Sequence, residues 1–178
     1  MQNLQPILIE QATGISKQLL DVVIAETGSL SNMVRTMARS PHVLEGYVQF
    51  KRALAAGKLN PRLREQIALA VAQTNECEYS LAEHTAAAER IGLTDDEIIS
   101  SLGGHASDKK AAAALQFVRY LARTGEAEAA DLKLAGFNEE EIAEIVGVVA
   151  LNTFENHFNN VANTEVDISI TARRVQAA

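Results

Sequence analysis

Cys77, Ser80 and His84 follow one another at intervals of three and four residues, and Glu65 lies twelve residues before the cysteine. On a helix, positions 77, 80 and 84 share one face. An imidazole facing a hydroxyl or a thiol is the minimum set for moving a proton to or from a nucleophile. Cys77 is predicted in the first turn of its helix, where free N–H groups and the helix dipole stabilise a thiolate. Glu65 adjoins the apolar run Ile67–Val71, where a carboxylate needs a partner, and a histidine on the next helix supplies one. Singly, each residue has a plainer reading. A lone Cys is a small hydrophobe, a His near a core is hydrogen-bonded packing, and Glu65 pairs with Arg62 or Arg64 on a solvated face. The joint spacing Glu-x11-Cys-x2-Ser-x3-His is much more specific than its parts.

Other polar residues are weaker candidates. His157 sits in the last long helix among Asn156, Asn159 and Asn160, and reads either as pocket or as a surface-facing helix end. His42 and His105 read as cap and loop residues. Glu65, His84 and His157 would make a two-His, one-carboxylate metal set. The chain lacks a tight His-x3-His pair, so neither a metal nor a cofactor is expected.

The elements that must position these residues are marked by helix punctuation. Residues 7–27 have apolar positions in helical period, with Gly14 weakening the middle. Ser31-Asn32 caps a short helix near Met33–Arg39. Ser40-Pro41 and Asn60-Pro61 open the next two helices, one ending near Gly57 and one covering Leu63–Ala72. Asn75-Glu76 interrupts the chain, and a helix runs from about Cys77 to Arg90, closed by Gly92. Thr94–Glu97 and Asn138–Glu141 are capping-box starts. Between them lie helices over 108–122 and 126–135, and after them a long apolar helix to about Asn160. The echo between Gly92–Ile98 and Gly136–Ile142 fits either two capped helices or a duplicated unit. Val166–Ile170 is the sole strand candidate. The expectation is an all-α single domain, with an N-terminal helical segment over 1–27 packed on a helical domain over 28–178.

Bulk properties narrow the function classes. The 178 residues carry 47% hydrophobic and 4% aromatic side chains, no Trp, and a formal charge of −7. That charge, with no basic stripe, argues against nucleic acid. No apolar run approaches the ~18 residues of a membrane span. Residues 1–10 do not read as a signal peptide, and one cysteine forms no intrachain disulfide. A cytoplasmic protein is expected.

Glu65-x11-Cys77-Glu78-Tyr79-Ser80-x3-His84 resembles the Glu-x11-Cys-x2-Cys-x3-His signature of the alkylhydroperoxidase D-like, carboxymuconolactone decarboxylase superfamily. Ser40-Pro41, Asn75-Glu76, His84-Thr85, Gly92-Leu93, the segment Asn152–Asn159 and Thr164–Asp167 extend the likeness over roughly residues 28–168. The resemblance implies an AhpD-like helical bundle that forms homo-oligomers, commonly trimers or hexamers. In redox-active members the cysteine beside the histidine attacks a peroxide, the other resolves the sulfenic acid, and Glu and His relay the proton. Carried over by position, Glu65 and His84 are the relay, Cys77 is the first cysteine, and Ser80 stands where the peroxidatic cysteine belongs. Tyr79, Asn156 and His157 are possible pocket residues.

A serine hydroxyl cannot be oxidised to a sulfenic acid, so a disulfide cycle within one chain is impossible. Ser80 is then an engineered replacement, a natural loss of peroxidase chemistry, or a sign that Cys77 works alone with an external thiol reductant. Three functions follow. One is an antioxidant thiol-redox protein acting on small hydroperoxides. A second is a lactone decarboxylase or hydrolase with Glu65 and His84 as acid and base, and with Arg35, Arg39 or Arg119 anchoring an acidic substrate. The third is a non-catalytic oligomer that binds a small ligand, its interface absorbing the apolar excess of Ile142–Phe158.

Overall fold

The computed structural model describes residues 2–167. Among them, all regular structure is helical: α1 (Gly14–Thr27), α2 (Asn32–Met37), α3 (Pro41–Ala55), α4 (Pro61–Thr74), α5 (Glu78–Arg90), α6 (Asp95–Leu102), α7 (Lys109–Thr124), α8 (Ala130–Leu134) and α9 (Glu139–Ala162), with a 3-10 turn at Ile9–Gln11. The all-α expectation holds. Val166 and Asp167 are irregular rather than strand, and positions 168–170 of that expected strand lie outside the described residues.

α4 is the central helix. It packs against α5, α6, α7 and α9, and Leu63 and Ile67–Ala72 are all buried. Its alternating Ala68, Ala70 and Ala72 leave little side chain between backbones, which lets neighbours close on several sides. Ile67, Leu69 and Val71 are fully buried, each stabilising the fold by about 1.5–3 kcal/mol relative to exposure. A second cluster joins Leu20 and Val23 of α1 to Met33, Met37, Leu44, Tyr47, Cys77 and Leu151.

The helix starts follow the side-chain caps. Ser31, Ser40, Asn60 and Asp108 each accept from the backbone N–H three residues on. Thr94–Glu97 and Asn138–Glu141 are complete reciprocal capping boxes. Two expectations need correction. The first long helix starts at Gly14 instead of running from residue 7. Gly14 has a φ of +56°, a left-handed conformation that cannot sit inside a right-handed helix. The helix expected over 126–135 is only Ala130–Leu134, because its N-cap, Ala129, offers no side-chain acceptor.

Candidate functional site

α4 and α5 are joined by a tight reversal in which Glu76 takes a φ of +50°. The Cys77 N–H donates back to the Ala72 carbonyl at 3.0 Å. Cys77 is thereby the N-cap of α5 rather than a first-turn residue. Its Sγ lies 3.3 Å from Ser80 Oγ, and both residues are completely buried. Asn159 of α9 donates to Met33 Sδ at 3.2 Å and to Ser80 Oγ at 3.5 Å. These contacts close the thiol into the core.

One turn further along α5, His84 enters a different environment. Its Nδ1 is 2.9 Å from Glu65 Oε2, which settles the partner of Glu65. Arg62 pairs instead with Glu97, and Arg64 donates to the carbonyls of Leu54, Ala55 and Leu59. His84 Nε2 faces Glu155 Oε2 of α9 at 3.6 Å, an ion-pair distance too long for a hydrogen bond. Glu155 Oε1 in turn faces Lys51 Nζ of α3 at 3.7 Å, and Glu83 Oε1 lies 3.7 Å from the same Nζ. Lys51 donates to Tyr47 Oη at 2.7 Å.

The electrostatics follow from this packing. Burial on its own lowers the His84 pKa, but the carboxylates of Glu155 and Glu65 outweigh it and push it up to about 10. Burial likewise raises Glu155, yet Lys51 and His84 overcome this and hold it down at about 2. Glu65 is lowered too, burial being outweighed by His84. Burial lowers Lys51, and the oxygens of Tyr47, Glu155 and Glu83 raise it well above an ordinary lysine. Tyr47 is raised by burial and then by Glu155. The resting site is an alternating chain of charges: Glu65 carboxylate, His84 imidazolium, Glu155 carboxylate, Lys51 ammonium.

These groups line a cavity of about 830 Å³ bounded by α1, α2, α3, α4, α5 and α9. His84, Glu65, Glu83, Glu155, Lys51, Tyr47 and Asn152 form one polar cluster of its lining, Arg52, Arg64, Arg90, Glu26 and Asp167 add further charges, and Val34, Val48, Leu54 and Leu151 are apolar. The 47% of Lys51 that is accessible therefore includes cavity wall. Cys77 and Ser80 do not line it, and Met33 stands between, lining the cavity on one side and touching Asn159 on the other. Neither nitrogen of His84 has Cys77 or Ser80 as a hydrogen-bond partner. A smaller cleft of about 360 Å³, near Lys58, Arg62 and Lys110, contains none of the expected site residues.

The structure thus separates the expected residues into two groups. Glu65 and His84 meet in the cavity, whereas Cys77 and Ser80 meet in the core. Tyr79 is buried apart from the cavity lining, donating its hydroxyl to Asp167 at 3.0 Å. Asn156 is fully buried with both amide atoms unpartnered among the described residues, and His157 is exposed, two residues and roughly half a turn from Glu155. His42 and His105 are exposed as well. None of Arg35, Arg39 and Arg119 lines the cavity; Arg39 donates to the Gln5 carbonyl and Arg119 to that of Gly103. Sequence reading missed Glu155, Lys51 and Tyr47. The available signal was a carboxylate and three asparagines at 152, 155, 156 and 159, a single face of an otherwise apolar helix.

Residues 41–123 match the carboxymuconolactone decarboxylase family, a match that supports the alkylhydroperoxidase D-like, carboxymuconolactone decarboxylase superfamily for this part of the chain. No curated protein matches the chain. Among solved structures, the fold is similar to that of an uncharacterized peroxidase-related protein from Silicibacter sp. TM1040, with 20% identity, 92% of each chain covered and a TM-score of 0.76. The alkylhydroperoxidase AhpD core of an uncharacterized peroxidase-related protein from Ralstonia eutropha JMP134 gives 22% identity, 90% of each chain and a TM-score of 0.78. A cysteine-to-alanine variant of the debrominase Bmp8 in complex with 2,3,4-tribromopyrrole gives 18% identity over 94% of this chain and 92% of that one, with a TM-score of 0.78.

Proposed function

We propose that this protein is a proton-transfer enzyme acting on a small carbonyl compound of the lactone type, and that it is not a self-contained thiol peroxidase. One observation carries the reading: His84, held as an imidazolium between two carboxylates, borders the 830 Å³ cavity, while Cys77 and Ser80 are sealed outside it. The pKa of about 10 suits His84 to hydrogen-bonding, and then protonating, an oxygen that becomes an alkoxide or enolate in the reaction. It makes His84 a poor base at neutral pH. Glu65 orients the ring through Nδ1 and keeps Nε2 directed toward the cavity. Lys51 adds a second positive charge to the same cluster. In lactone opening, water adds to the carbonyl carbon, the carbonyl oxygen is stabilised by these cations, the ring oxygen leaves with the His84 proton, and the proton that the added water gives up passes through the cavity carboxylates to restore the imidazolium.

A second reading keeps the thiol. Cys77 sits at the N-terminus of α5, with Sγ 3.3 Å from the Ser80 hydroxyl, and an external thiol would then resolve an oxidised Cys77. Parallel assays separate the two. A panel of γ-lactones followed by proton release, and hydroperoxides followed by consumption with dithiothreitol, are each run on the unmodified protein. Lactone turnover without peroxide turnover is the expected result. Peroxide turnover alone would overturn the proposal in favour of the thiol.

A further inference from the structure

Three buried atoms in the polar cluster of the cavity have no hydrogen-bond partner among the described residues: His84 Nε2, Glu83 Oε2 and Asn152 Oδ1. All three residues line the cavity. Nε2 is a donor, because the ring is an imidazolium whose Nδ1 is committed to Glu65. The other two are acceptors. Glu83 turns its remaining oxygen toward Lys51, and the Asn152 amide N–H is taken by the Val148 carbonyl at 2.8 Å. Buried polar groups in folded proteins are almost always paired, and each one left unpaired costs about 1–3 kcal/mol. A complementary ligand therefore brings at least one acceptor and one donor. The charges point the same way. Lys51 and His84 are already opposed by Glu65, Glu83 and Glu155, and around the whole lining Arg52, Arg64 and Arg90 are matched by these carboxylates together with Glu26 and Asp167, which leaves no surplus cation. A carboxylate would add an uncompensated charge and has no proton to offer Glu83 or Asn152.

We infer that the cavity selects a small neutral amphiphile whose head both donates and accepts hydrogen bonds, such as a carboxamide or a hydroxy-carbonyl, and discriminates against the corresponding carboxylate. The inference rests on this cavity being the active site. It narrows the substrate from an acidic lactone to an uncharged, proton-bearing one, and so favours ring opening over decarboxylation. The apolar lining takes the body of the ligand and the three unpartnered atoms take its head.

The test is calorimetric titration of the full chain with benzamide, benzoate and N,N-dimethylbenzamide, which share one apolar body. Benzamide both donates and accepts, benzoate only accepts and is charged, and the dimethyl amide only accepts and is neutral. Benzamide is expected to bind at least about tenfold more tightly than either, the effect of one satisfied buried acceptor. Glu83→Ala and, separately, Asn152→Leu are each expected to shrink its advantage over the dimethyl amide; agreement between two variants on different helices guards against one being misfolded. Benzoate binding as tightly as benzamide, equal binding of the two amides, or no binding by any of the three would overturn the inference. Because these are binding measurements, their failure alongside persisting lactone turnover would sink the substrate class and leave the proposed chemistry standing.

Discussion

Replacing Glu155 by Gln removes the charge that links the two cations of the site. Its Oε2 is 3.6 Å from His84 Nε2. Two unit charges at that separation interact by about 4.6 kcal/mol at an effective dielectric of 20. One pKa unit corresponds to about 1.36 kcal/mol, so loss of this charge lowers the His84 pKa by about 3 units at most. Water in the cavity screens part of the interaction and brings the expected fall to about 2 units. His84 should thus drop from about 10 to about 8, still above the ordinary histidine value of about 6.5 because Glu65 remains on Nδ1. Titrating the His84 ring-proton resonance by NMR, assigned by its absence in His84→Gln, reads both values. A wild-type pKa near the ordinary histidine value, or no shift in the variant, would refute the charge chain.

The pH dependence of stability follows from the same shifts. His84 is raised, so its contribution is complete below its unfolded value of about 6.5 and is lost as pH rises through about 10. Glu155 is lowered, so its contribution is present above about 4.5 and is lost as pH falls through about 2. Denaturant midpoints should be highest between those windows; a midpoint still rising through alkaline pH would contradict the assignment. Thr94→Ala, which removes the cap of α6, should cost about 1 kcal/mol in denaturant unfolding, and an unchanged midpoint would contradict the role of the cap. Ser80→Cys brings a second sulfur to the place now held by a hydroxyl 3.3 Å from Cys77 Sγ. Because both side chains are closed into the core, that variant is expected to consume peroxide with a dithiol no faster than the parent, and turnover gained by the variant would contradict the sealing of the thiol. We also expect a homo-oligomer by light scattering, with Val146, Phe154 and Val161 on the exposed side of α9; a monomer would leave those side chains unexplained.

The sequence exposed the fold through its helix starts. The two proline starts, the serine caps and both capping boxes mark observed N-termini because a cap is a local event, decided by residues three apart. Where no cap existed, as at Ala129 before α8, the expected boundary missed. The pairing of Glu65 with His84 was also legible, since a carboxylate beside an apolar run requires a partner and the next helix offered one. The division between thiol and imidazole was not. Helical spacing puts residues 77, 80 and 84 on one face, but a single turn of α5 separates a side chain enclosed by Met33 and Asn159 from one that borders the cavity. Glu155, Lys51 and Tyr47 come from α9 and α3, and only the tertiary packing brings them to His84. Glu155 could have been suspected from its place within an apolar helix, whereas Lys51 reads from sequence as an ordinary surface residue.

On the function proposed, the cavity, and not the buried thiol, carries the chemistry. The most direct test is lactone turnover by the parent protein, Cys77→Ala and His84→Gln, each checked for folding by circular dichroism. Cys77→Ala should retain activity within about twofold and His84→Gln should lose at least about a hundredfold, the usual scale for removing a positioned proton donor. Loss of activity in Cys77→Ala, with activity retained in His84→Gln, would contradict the proposed function.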